Sequence, residues 1–233
     1  MKLRLALTAS LLLPVGVGLA ATAQEKVKDA ADVFTEIMST PDKGIPQDLL
    51  AKAQCVIIVP GLKKGAFIVG GEYGHGVAEC RQADGTGWGA PAGVRVEGGS
   101  FGFQIGGSST DVVLLVMNQK GMNRLMGDKF TIGADAAVAA GPVGRTAKAE
   151  TDVELNAEIL SWSRSKGVFA GLSLNGATMR PDEKMNEEFY GKKMTNREIL
   201  TSHMPPPTGA RPLIAELDRY SVSKEGTAAR EKR

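Results

Sequence analysis

The chain has 233 residues, 42% of them hydrophobic and 23% charged, enough for one substantial core with tails or at most two small domains. Its formal charge is +2; without Lys2 and Arg4, which stand in a leader-like N-terminus, 26 basic residues face 26 acidic ones. A neutral chain carries no global field that would steer it onto nucleic acid, so any anion recognition must come from a local cluster.

Met1–Arg4 is a short basic start, Leu5–Leu19 is apolar, and Ala21-Thr22-Ala23 is a small-x-small site before Gln24. Together they read as a cleaved secretory signal peptide over residues 1–23, placing the mature protein in the periplasm or outside the cell. Residues 24–203 then form the domain, and 204–233 form a linker, opening with Pro205-Pro206-Pro207, and a polar tail.

From Gln24 to Thr40 the apolar residues Val27, Ala30, Ala31, Phe34, Ile37 and Met38 recur at intervals of three and four. This predicts an amphipathic helix that packs on the domain, with a lipid surface as the alternative use of its apolar stripe. Gln47–Ala53 is a short helix, and Cys55–Val59 is a buried strand closed by Pro60-Gly61. A turn carrying Lys63 and Lys64 is expected next, followed by strands Ala66–Gly70 and Gly74–Cys80. Glu97–Gly107 alternates through Phe101, Phe103 and Ile105 and runs on into the apolar segment Val112–Met117. We read this stretch as the central hairpin or strand pair of a β-rich domain. Strands this closely spaced, and 29 glycines against a usual ~7% of residues, indicate an antiparallel meander rather than a doubly wound fold.

Asn118–Met126 reads as a short helix, Phe130–Gly133 and Glu154–Ser161 as strands, and Val168–Asn175 as a further strand after a basic turn at 164–167. Asp182–Tyr190 is a helix ended by Gly191, Thr195-Asn196-Arg197-Glu198 is a capping box opening another, and Leu213–Tyr220 is one docking helix. The fold class is therefore α+β: a mainly antiparallel, barrel-like sheet with an N-terminal amphipathic helix and short flanking helices.

Chemistry is sparse. Gly98-Gly99-Ser100-Phe101-Gly102 matches a hydrolase nucleophile elbow, but the residues after it alternate like a strand, and His75 and His203 are the chain's two histidines. No phosphate loop and no metalloprotease helix occurs, so a non-enzymatic protein without cofactor or metal is expected. Cys55 and Cys80, an even pair in an exported chain, favour one disulfide; a metal site with His75 is the alternative. Asp111, beside a buried run, reads as a capping or hydrogen-bonding residue. Cations beside glycines remain: Lys63, Lys64, Arg145, Lys148, Arg164, Lys166, Lys192 and Lys193. If they converge, backbone N–H groups and positive charge would together cradle an anionic headgroup.

Several blocks resemble the SYLF lipid-binding domain family. They include Ala51–Pro60, Lys64–Gly71, Gly74–Ala78, Trp88–Pro91, Gly102–Gly107 with Thr110-Asp111, Asn118–Gly121, Ala139–Arg145, Ser161–Gly176 and Phe189–Gly191. The blocks run in order over about residues 27 to 203, and the chain looks like the exported bacterial branch. The resemblance implies binding of phosphoinositides or other anionic lipids. It also carries an actin-binding label from eukaryotic members, although actin is a poor partner for an exported protein. A structural or protein-interaction module of the envelope, without lipid selectivity, is the alternative reading.

Overall fold

The computed structural model describes residues 22–40, 44–67, 69–83, 87–101, 106–142, 157–165, 168–171 and 176–221. The segment read as a signal peptide, except Thr22 and Ala23, and the polar tail after 221 lie outside the described residues.

Five strands carry the molecule: β1 (Cys55–Phe67), β2 (Val69–Cys80), β3 (Ala92–Phe101), β4 (Gly106–Val116) and β7 (Ile159–Ser165). Shorter strands β5 (Phe130–Thr131), β6 (Val138–Ala140), β8 (Val168–Gly171) and β9 (Thr178–Pro181) complete one half-barrel sheet. Its order is β5-β9-β3-β2-β1-β4-β7-β6, with β8 also on β7. All pairings are antiparallel except β6 with β7. The expected α+β class with a barrel-like antiparallel core is what the chain forms.

Two expectations are corrected. The stretch read as a central hairpin is not one: β3 pairs with β2 and β4 with β1, so two strands separate them. The order β3-β2-β1-β4 is a Greek key, in which the fourth strand returns beside the first. The strand end expected at Pro60-Gly61, with a turn carrying Lys63 and Lys64 after it, is instead a bulge inside β1, which continues to Phe67. Register shifts there against both neighbours, and Gly61 takes φ 59°. The Asp111 carboxylate accepts the Gly61 N–H at 2.8 Å, the hydrogen-bonding role anticipated for Asp111.

The central strands are covered on both faces, which explains their unbroken apolar runs. Val56, Ile58, Val77, Val113, Leu115, Leu160 and Trp162 point into one core. Cys55, Ile57, Val59, Leu62, Val94, Val96, Val112, Leu114 and Ile159 point into the other. Cys55 and Cys80 are cross-strand partners in the second core and form a disulfide, which removes them from any metal site with His75. Gly76 is required where β2 crosses the bulge, because a Cβ there would lie 2.2 Å from the Ile58 carbonyl oxygen.

Helices α1 (Ala23–Ser39), α2 (Gln47–Lys52) and α6 (Arg211–Ser221) cover the first core. Thr22 and Glu25 form a capping box on α1, and Val27, Ala30, Phe34 and Ile37 are fully buried. The packing role expected for this helix is therefore the observed one. Leu213 and Leu217 of α6 are buried against it, and Phe34 meets Tyr220 edge to face at 6.2 Å. Trp88 anchors α6 through its indole N–H, donated to Ser221 at 3.0 Å, and carries the Arg81 guanidinium over its ring. Arg81 in turn donates to the Ala53 and Leu50 carbonyls at the end of α2.

Helix α3 (Gln119–Leu125) starts from the Asn118 cap and sends Leu125 into the second core. Helices α4 (Glu183–Tyr190) and α5 (Asn196–Leu200) are capped by Asp182 and by the Thr195–Glu198 box, and Gly191 ends α4 at φ 67°. A buried amide network seats both on β3. Asn186 accepts the Gly93 N–H at 2.7 Å and donates to Asn196 at 2.8 Å and to the Met194 carbonyl; Asn196 donates to the Gly93 carbonyl.

Glu79 lies between the sheet and α6 with 1% exposure, and neither carboxylate oxygen has a hydrogen-bond partner. Burial, and then the nearby Asp218 carboxylate, push its acid well above the usual range. The folded state therefore holds a proton that the unfolded chain releases near the ordinary glutamate value. Stability from this site is present in acid and falls as pH rises through that interval. Glu79→Gln is expected to raise the melting temperature by several degrees at mildly alkaline pH and little in acid. An equal gain in melting temperature at both pH values would contradict this.

Candidate functional site

On the face of the sheet that carries α1, α4 and α6, the apolar floor stops at the row of Ile58 and Val77. Strand alternation then sends polar side chains to the same face. One row runs Lys63, Tyr73, Glu97, Thr178 across β1, β2, β3 and β9. The adjacent row is His75, Arg95, Arg180.

The groups are tightly interlocked. The His75 Nδ1 is 2.5 Å from a carboxylate oxygen of Asp182, whose other oxygen caps α4 by accepting the Met185 N–H at 3.1 Å. The His75 Nε2 is 2.5 Å from the Tyr73 hydroxyl, with the two rings edge to face. Tyr73 is 47% exposed, while the Asp182 side chain is 8% exposed, so the chain of bonds runs from solvent to interior. Arg95 and Arg180 both reach Glu97, at 3.2 and 3.3 Å. Two guanidinium groups thus share one carboxylate, and the exposed Lys63 stands directly across from Tyr73.

The sequence-predicted cations fall in several places. Lys63 and Lys64 sit in strand β1 rather than a turn, on opposite faces; Lys64 pairs with Glu72 at 3.0 Å. Arg164 is in β7, where it bonds Asp111 at 2.9 and 2.6 Å and pairs with Glu36 of α1. Burial works against its charge, but Asp111 and Glu36 outweigh that and hold its proton more firmly than usual. Its charge therefore ties the first helix to the sheet. Lys192 and Lys193 are exposed in the connection from α4 to α5. Arg145, Lys148 and Lys166 lie outside the described residues.

Ser100 is a strand residue opposite Gly70, in place of the strand–turn–helix an elbow needs. It lies five residues along β3 from Arg95, the partner of His75, or roughly 17 Å at strand rise. Among the described residues, no group of three or more His, Cys, Asp or Glu side chains could hold a metal, and no helix is long and apolar enough to cross a membrane.

Arg95, Arg180, Tyr73 and Asp182 were not singled out from the sequence. The available signal was parity: in Gly93-Val94-Arg95-Val96-Glu97 the valines fill one core, and the charges stand on the face where a second core would be expected.

A family model described as "Ysc84: Las17-binding protein actin regulator" matches residues 97–220. The SH3 domain-containing YSC84-like protein 1 of Homo sapiens is 32% identical over 213 residues, covering 89% of this chain and 62% of that protein. The protein of that name from Xenopus laevis is 32% identical over 196 residues, 82% of this chain and 58% of its own. The LAS seventeen-binding protein 3 of Saccharomyces cerevisiae (strain ATCC 204508 / S288c) is 34% identical over 180 residues, 76% of this chain and 39% of its own. The chain thus spans less than two thirds of the length of these relatives.

Proposed function

The chain belongs to the Ysc84 family, the SYLF family that its sequence blocks resemble, and from that premise we propose that it is a non-enzymatic, exported protein that docks on anionic phospholipid. The observation that carries the proposal is the pair of polar rows left beyond the helix layer, where Arg95 and Arg180 share Glu97 and exposed Lys63 stands across from Tyr73. Exposed Lys192 and Lys193 add positive charge in this reading, and Arg145, Lys148 and Lys166 lie outside the described residues. The apolar stripe of α1 is buried, so docking proceeds through headgroup electrostatics with that helix in place.

Salt-sensitive retention on vesicles tests it. Wild-type protein is expected to sediment with phosphatidylcholine vesicles containing phosphatidic acid or a phosphoinositide, to stay in solution with pure phosphatidylcholine, and to be released as ionic strength rises. Lys63→Glu is expected to weaken retention several-fold without altering the melting temperature. Equal, poor retention on neutral and anionic vesicles at every salt concentration would end the proposal.

The family description as an actin regulator favours a second reading, docking on a protein partner, and weighs against setting actin aside on grounds of export alone. Under that reading, an envelope structural module or an actin regulator, crosslinking captures one partner and vesicle composition is immaterial.

A further inference from the structure

We propose that Tyr73, His75, Arg95 and Arg180 form a binding site for a phosphate-monoester dianion, and that the bound anion draws a proton onto His75. The assignment deepens the lipid-docking reading and rests on it for the source of the anion.

The donors are those such an ion requires. Arg95 and Arg180 are cross-strand neighbours with one carboxylate between them, and Lys63 stands one row away across from Tyr73. These two rows and the Asp182 cap together hold three permanent cations, Lys63, Arg95 and Arg180, and two carboxylates, Glu97 and Asp182, leaving net positive charge before any proton is added. Guanidinium forks match the spacing of phosphate oxygens and bind them more strongly than neutral donors do. The exposed Tyr73 hydroxyl supplies a further, uncharged contact beside them.

The proton coupling follows from which atom donates. With His75 neutral, its Nδ1–H goes to the Asp182 carboxylate, which accepts only. Its Nε2 then has a lone pair and takes the Tyr73 O–H, turning that donor inward. With His75 protonated, Nε2–H donates to the Tyr73 oxygen, and the phenolic hydrogen turns out toward the anion. No heavy atom has to move; one proton gained on the imidazole reverses one hydrogen bond and creates one outward donor. The added positive charge acts in the same direction. The titratable and charged groups facing His75 are Asp182 at the start of α4, the neutral Tyr73 on its own strand, Arg95 across on β3, and Arg180 and Glu97 beyond it. Asp182 favours the proton and the two arginines oppose it. An anion neutralising the arginines therefore removes the opposition. Binding and protonation are linked in both directions.

Calorimetric titration of the full chain with glycerol 3-phosphate, near neutral pH in two buffers of different ionisation enthalpy, measures affinity and proton uptake together. Sedimentation with phosphatidylcholine vesicles, with and without phosphatidic acid, is run on the same proteins. Arg95→Gln/Arg180→Gln is expected to weaken glycerol 3-phosphate at least tenfold. Tyr73→Phe, a conservative change at an exposed position, is expected to weaken it only a few-fold and to reduce the extra proton uptake, because the hydrogen-bond reversal at Nε2 is lost while the electrostatic linkage remains. The proton exchange of the ligand itself is common to both proteins and cancels in their comparison. Unchanged affinity in the double arginine variant, or full proton uptake in Tyr73→Phe, overturns the proposal. Retention on phosphatidic acid vesicles that ignores these substitutions overturns the site and leaves lipid docking standing. Variant-sensitive binding of glycerol 3-phosphate without vesicle retention supports the site and overturns the lipid source. A wild-type protein that binds neither probe overturns both.

Discussion

Asn186→Leu is expected to destabilise the protein by roughly 3 kcal/mol or more, the largest loss from a single substitution outside the hydrophobic cores. Asn186 is fully buried and its amide serves three partners: the Gly93 N–H, the Asn196 side chain and the Met194 carbonyl. Leucine has nearly the same volume, so the effect is not a cavity. It is the cost of leaving a buried backbone donor and two acceptors without partners, at about 1–3 kcal/mol each where water cannot enter. Beyond Gly93, strand β9 takes over the edge of β3, so no neighbouring strand replaces the lost bonds. Urea unfolding measures the loss, and a change below about 1 kcal/mol would mean that water reaches Gly93. The same variant loosens α4, whose cap Asp182 holds His75, so the proton uptake proposed for the sheet face should fall with it.

Removing the disulfide is the second large effect. Cys55→Ala/Cys80→Ala is expected to cost roughly 3 kcal/mol, the closure entropy of a loop of this size, here 25 residues in sequence separation. The ladder between β1 and β2 holds the two cysteines opposite each other without help from the bond. The contribution therefore lies in restricting the unfolded chain. Reduced wild-type protein should consequently match the double variant in its urea midpoint, with its sheet content intact. If reduction leaves the midpoint unchanged while the variant loses stability, the sulfur atoms act through packing in the second core and the entropic account is wrong.

Helix boundaries were legible where local chemistry sets them. The α1 stripe, the Thr195–Glu198 box, the Gly191 terminator and the Asn118–Met126 segment depend on residues within one turn of one another, and the structure places each as read. The misreadings share a different cause. Pro60-Gly61 has turn composition, but bonds to β2 and β4 on either side carry β1 straight through it, and neither partner is visible locally. The return of β4 to β1 was hidden for the same reason: Val112–Val116 is apolar whichever neighbour it has. The candidate site was the least legible part. Lys63 drew notice as a cation near glycines in an expected turn. His75, Arg95 and Arg180 become neighbours only through the register of three strands separated by up to about a hundred residues.

The contact between α1 and α6 has a consequence for the order of events during synthesis. The first described helix and the last are direct neighbours, joined at Phe34 and Tyr220. Val27, Phe34 and Ile37 emerge from the ribosome early, yet part of their cover, Leu213 and Leu217, is made nearly 180 residues later. The first core therefore cannot close before α6 has been made, and folding of that layer waits for that helix. Chains stopped anywhere short of Arg211 should expose an apolar stripe along α1 and aggregate or be degraded, however completely their strands have paired.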